Sequence, residues 1–186
     1  MEYTLEQRCE KIIQECQNQT STNPVRIFEH IASCDFVRMH GPEHHILDGA
    51  CLLTAIYNAS GKFDLKSGLE FIFEQGLKMP GATCGMWGVC GAVTSCGAAL
   101  SFLDKTGPLS TDESWGKHMQ FTSVALEKIG KIGGPRCCKR DGFTALSVAV
   151  EFINKNYPFS LETSPVICKF HEQNAQCIKR NCPYFI

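Results

Sequence analysis

No run of this chain approaches the ~18 consecutive apolar residues that a membrane-spanning helix needs. No stretch alternates apolar and polar residues long enough to read as a strand. Positive charge is not in excess: 18 Lys and Arg stand against 19 Asp and Glu, a formal net charge of -1. A nucleic-acid footprint is a basic one, so neither nucleic acid nor a membrane is an expected partner. The chain has no P-loop, no dinucleotide-binding glycine fingerprint and no CxxC pair. Internal repeats and low-complexity tracts are absent as well. The opening residues, MEYTLEQRCEKIIQEC, are charged and amphipathic. They lack the apolar stretch and cleavage site of a secretion signal, and a cytoplasmic location is expected.

Cysteine is abundant, at 12 in 186 residues. Such density reflects a secreted disulfide framework, metal ligation or thiol chemistry. The opening residues argue against the first. In a reducing compartment the thiols serve as ligands or nucleophiles. A chain of this length can bury its own core, so it needs no covalent staples.

The apolar periodicity predicts an all-α fold. Residues 3–17 place Leu5, Cys9, Ile12, Ile13 and Cys16 at helical spacing. Asn23-Pro24 opens a second helix to Ile31, and Gly41-Pro42 a third to about Ala59. Asp64 caps a fourth, which ends near Gly76. The stretch MPGATCGMWGVCG reads as a loop, followed by VCGAVTSCGAALSFL, a helix buried on all sides. Ser110 and Glu113 form a capping box for the next helix, to about Ile129. Asp141 caps FTALSVAVEFINKN, whose outward stripe is Thr144, Ser147, Glu151 and Asn154. The reading is one compact helical domain over 1–164 with Gly/Cys-rich loops. A short irregular Cys-rich tail over 165–186 packs on it.

Four constellations carry chemistry. Cys84 and Cys90 lie in a glycine loop, with Cys90 at a helix start whose dipole favours a thiolate or an anionic cluster. Cys96, Cys9 and Cys16 read as small buried hydrophobes. Cys137 and Cys138 are adjacent, surrounded by Arg136, Lys139 and Arg140, cations that lower thiol pKa. The tail carries Cys168, His171, Cys177 and Cys182. These residues suit either a structural Zn²⁺ with Cys₃His ligation or three-cysteine cluster ligation. Finally, His40, His44 and His45 crowd one junction. His44, Asp48 and Cys51 fall at i, i+4 and i+7 on one helical stripe, so that Asp48 can orient the His44 imidazole.

The runs HGPEHHILDGA, CGMWGVCGA and GGPRCCKRDGF, with the CPYF ending, resemble a cysteine-rich family of anaerobic bacteria and archaea. That family is known only as a domain of unknown function. The resemblance covers the chain from about Cys34 onward. It implies an anaerobic setting and iron–sulfur chemistry. It also implies association with radical-SAM or methyltransferase-like proteins, and it supplies no reaction.

The leading expectation is therefore an iron–sulfur protein, with a [4Fe-4S] cluster held by Cys84, Cys90 and one or both of Cys137 and Cys138. An open position on the cluster would act on a small sulfur- or one-carbon-containing substrate by lyase, sulfur-transfer or redox chemistry. His44, Asp48 and His40 would be the catalytic residues. One alternative is a non-catalytic helical interaction module stabilised by zinc on Cys168, His171, Cys177 and Cys182. The other is a metal-free thiol redox or sulfur-transfer protein using Cys137 and Cys138.

Overall fold

The computed structural model describes residues 2–186, and every regular element among them is helical. The α-helices are α1 Leu5–Gln17, α2 Pro24–Ala32, α3 His44–Ser60, α4 Leu65–Leu77, α5 Thr83–Met86, α6 Gly91–Asp104, α7 Glu113–Ile132 and α8 Cys138–Asn156. Single 3₁₀ turns at His171–Gln173 and Lys179–Asn181 follow in the tail. The all-α class is as the sequence predicts. None of these helices is long and apolar enough to cross a membrane.

Several helices begin where a side chain meets amides that have no carbonyl in the preceding turn. Thr4 Oγ1 accepts from the Gln7 amide at 3.2 Å, and Gln7 Oε1 accepts from the Thr4 amide at 2.9 Å. Asn23 Oδ1 accepts from the Val25 and Arg26 amides around Pro24, and Asp64 Oδ2 from the Ser67 amide at 2.9 Å. Two starts differ from the sequence reading. Asp112 caps α7 through the Ser114 amide at 2.8 Å. Ser110 is taken up by the preceding turn, where it accepts from the Gly107 amide at 2.9 Å. The Cys137 thiol caps α8, accepting from the Arg140 amide at 3.4 Å. Asp141 lies inside the first turn of that helix and is buried. The glycine stretch also holds the short helix α5, whose four residues are too few to show a period.

Helix α3, rather than α6, is the one buried all round. Every residue from Ile46 to Ile56 is buried, and α3 packs against α1, α2, α4, α6 and α8. Each large apolar side chain on it contributes ~1.5–3 kcal/mol relative to exposure. Helix α6 buries Val93, Cys96, Ala99 and Leu100 and leaves Thr94, Gly97 and Ala98 half-buried. The close approach of α3 and α6 depends on Gly49. A Cβ there would stand 2.5 Å from the Ser95 carbonyl oxygen, and the Gly49 amide donates to Ser95 Oγ at 2.8 Å. Cys9, Cys16, Cys51 and Cys96 are fully buried packing residues.

The tail returns across α8. Phe170 and Tyr184 pack on Phe143, with ring centroids 6.3 and 5.4 Å away. The Cys168 amide donates to the Tyr184 carbonyl at 2.8 Å. Thr144 and the Tyr184 hydroxyl share a hydrogen bond of 2.9 Å. Thr144 is therefore buried beneath the tail. The outward face of α8 is carried by Glu151 and Asn154, with Ser147 half-buried.

Candidate functional site

The start of α8 divides the chemistry between two neighbouring cavities. Consecutive residues at a helix start point ~100° apart, so the adjacent cysteines face different cavities. Cys137 turns toward the tail. Cys138 turns toward the loop before α3, where the Gly41 amide faces its sulfur.

The first cavity is small and lined by Cys137, Cys168, Cys177 and Cys182, with His171, Arg140 and Asn174 around them. Three of the four sulfurs accept backbone amides: Cys137 from Arg140 at 3.4 Å, Cys168 from Phe170 at 3.4 Å and Cys177 from Lys179 at 3.3 Å. Such donors stabilise thiolate charge. The Asn174 amide adds a fourth contact, to Cys137 Sγ at 3.5 Å. Burial pushes the Cys168 thiol up, and the neighbouring Cys182 and Cys177 push it further. A cation between these sulfurs would relieve both effects. No disulfide joins any of them.

The second cavity has a volume of about 240 Å³ and lies between the loop before α3, α5 and the starts of α6 and α8. His40, His44, His45, Cys84, Cys90, Cys138 and Asp141 are on its wall. It opens into a wider cleft of about 630 Å³ through shared residues that include Cys84, Cys90, Arg136 and Asp141. His45 fits against α6 because residue 91 is glycine: a Cβ there would collide with the imidazole. Its Nδ1 donates to the Met79 carbonyl at 3.2 Å, leaving Nε2 as the acceptor. His40 links the two cavities. Its Nε2 donates to Asn174 Oδ1 at 3.1 Å, and the same amide reaches Cys137.

The expected ligand set is thus regrouped. Cys84, Cys90 and Cys138 share the second cavity with His40 and His44, whereas Cys137 joins Cys168, His171, Cys177 and Cys182. The sequence reading paired Cys137 with the glycine loop because it could not place the tail across α8. Among the described residues no three His, Cys, Asp or Glu side chains stand close enough to hold one metal ion.

Two further expectations are corrected. Asp48 does not orient His44. The His44 Nε2 is paired with the Arg38 carbonyl at 3.1 Å and with Lys139 Nζ at 3.3 Å. Both Asp48 carboxyl oxygens lack a partner, and burial raises that carboxyl well above its ordinary range. The basic run does not activate the thiols either. Lys139 is inside the fold, donating to the Ala32 and Arg38 carbonyls, and burial lowers it to about 8. Arg140 is paired with Asp141 at 3.1 Å. Burial therefore dominates, and the Cys138 thiol is pushed up to about 12. Arg136, expected beside the adjacent cysteines, lines the second cavity, and two residues that drew no functional reading, Thr83 and Asn174, also belong to these cavities. Nothing local in the sequence marks them.

A family model described as a family of unknown function (DUF5714) matches residues 12–185. No curated protein and no solved structure matches the chain. The chain belongs to that family of unknown function.

Proposed function

We propose that this chain is an iron–sulfur protein in which Cys137, Cys168, Cys177 and Cys182 hold a [4Fe-4S] cluster. The neighbouring His/Cys cavity would receive a small-molecule substrate. The observation that carries the reading is the convergence of those four unbridged thiols on one cavity, three of them under backbone amides. Zinc on the same four sulfurs is the competing reading, since a Cys₄ set is a common structural zinc site.

Four protein thiolates leave no iron open, which favours one-electron transfer over substrate binding at the metal. The substrate role then passes to the second cavity, with His40 and Asn174 between it and Cys137. The free-thiol alternative is disfavoured because a nucleophilic cysteine needs a lowered pKa, and burial raises both Cys137 and Cys138.

Iron and acid-labile sulfide should be measured on protein purified without oxygen, beside its visible spectrum. About four irons per chain are expected, with loss of colour in Cys137→Ser and Cys182→Ser and retention in Cys84→Ser and Cys90→Ser. One zinc per chain and no colour would instead make the tail a structural zinc site. Colour lost in Cys90→Ser but kept in Cys182→Ser would move the cluster to the glycine loop.

A further inference from the structure

The second cavity gathers polar groups that nothing in the chain satisfies. Helix α6 starts on its wall, and its N-cap, Cys90, makes no side-chain capping bond. The Gly91 amide meets no oxygen of the chain there and the Ala92 amide faces only the Cys90 sulfur, so the positive end of a 14-residue helix faces the space. Thr83 is only 2 % exposed, yet its hydroxyl has no partner. The same is true of Nδ1 of His44, also 2 % exposed, and of Nδ1 of His40. All three residues line this cavity.

The charges point the same way. Arg136 lines both the cavity and the adjoining cleft, and its guanidinium makes no hydrogen bond or ion pair among the described residues. The other guanidinium on the wall, Arg38, is held by Glu43 through two hydrogen bonds of 3.0 and 2.6 Å. Asp141, the one carboxylate among the lining residues, is paired with Arg140 at 3.1 Å. What remains is one uncompensated cation, a helix start and a buried hydroxyl. That suits a single negative charge better than the dianion of a phosphate ester.

We propose that this cavity binds a small monocarboxylate, its oxygens on the Gly91 amide, the Thr83 hydroxyl and Arg136. The rest of the molecule would lie against Ala92 and the thiols of Cys84, Cys90 and Cys138. This deepens the substrate reading above by naming the chemical class.

The test is isothermal titration calorimetry on the full chain, purified without oxygen, with acetate, propionate and inorganic phosphate as probes. Saturable binding of one acetate or propionate per chain is expected. It should weaken about tenfold or more in Arg136→Gln and in Thr83→Val, each of which removes a bond to a charged oxygen. No carboxylate binding, or equal binding in both variants and the parent, would overturn the proposal. Phosphate binding tighter than either carboxylate would overturn it too. Iron measured on the same samples keeps the two readings apart. Binding without a cluster sinks only the cluster, whereas a full cluster without binding sinks only the carboxylate.

Discussion

Asp48 and its neighbours are where a single residue's chemistry departs most from its sequence context. On a helix otherwise apolar it invites a catalytic reading, yet its carboxyl is fully buried and unpartnered. Gly142 is what admits it: a Cβ at that position would stand 2.5 Å from Asp48 Oδ1 and 2.8 Å from the Phe28 ring. Burial, only partly opposed by Lys139, raises the Asp48 carboxyl well above 3.8. A group whose folded pKa lies above its unfolded one stabilises the fold below the unfolded value. That contribution is lost as pH rises through the folded value. Asp48 should therefore weaken the protein at neutral pH. Asp48→Asn, close to the neutral acid in shape, should gain stability relative to the parent between pH 4 and pH 7. Urea midpoints at the two values check this. A difference that is constant with pH would mean that Asp48 ionises freely in the fold.

At the scale of elements, the start of α8 and the returning tail make the proposed cluster site together. Seven of the eight helices are legible in the sequence, because caps such as Asn23 and Asp64 and apolar spacing are local signals. The four-residue α5 is not, and neither is the exchange of Ser110 for Asp112 as a cap, since neighbouring hydroxyl and carboxylate residues compete for the same amides. The cysteines are legible as a set, but their partition is not. Whether Cys137 faces the glycine loop or the tail depends on a contact between Thr144 and Tyr184, 40 residues apart. The tail itself is held by that bond, the Phe143 ring contacts, the Asn174 bonds to His40 and Cys137, and two short turns, with no longer element of its own. Metal ligation should therefore supply much of its order. Chelation of the metal should greatly speed amide hydrogen exchange in residues 168–185 while leaving α3 protected. The far-UV circular dichroism should change little, because the α-helices lie elsewhere. Unchanged exchange in the tail would mean that its packing on α8 suffices.

For the molecule as a whole, the thiols divide by burial into two populations. Those near the tail are the proposed ligands, while Cys9, Cys16, Cys51 and Cys96 build the core as small apolar groups. A buried neutral thiol resists ionisation, so the core carries a built-in sensitivity to alkali. Burial, with Glu43 adding to it, raises Cys9 from 9.0 to about 12, and Cys51 and Cys96 shift in the same direction. In the unfolded chain these thiols ionise near 9, so their contribution is intact below pH 9 and is lost as pH rises toward 12. Lys139 acts oppositely. Its folded value of about 8 against 10.5 unfolded makes stability rise over that interval. The two effects separate in a comparison of the parent with Cys9→Ala, since Lys139 is common to both. The variant begins weaker at pH 8 for lack of the buried sulfur. By pH 10 the parent should have lost about 1 kcal/mol more than the variant, the linkage expected of one thiol with this shift. Urea midpoints on metal-free protein at the two pH values measure it. Parallel losses in both chains would show that Cys9 reaches solvent and ionises in the fold.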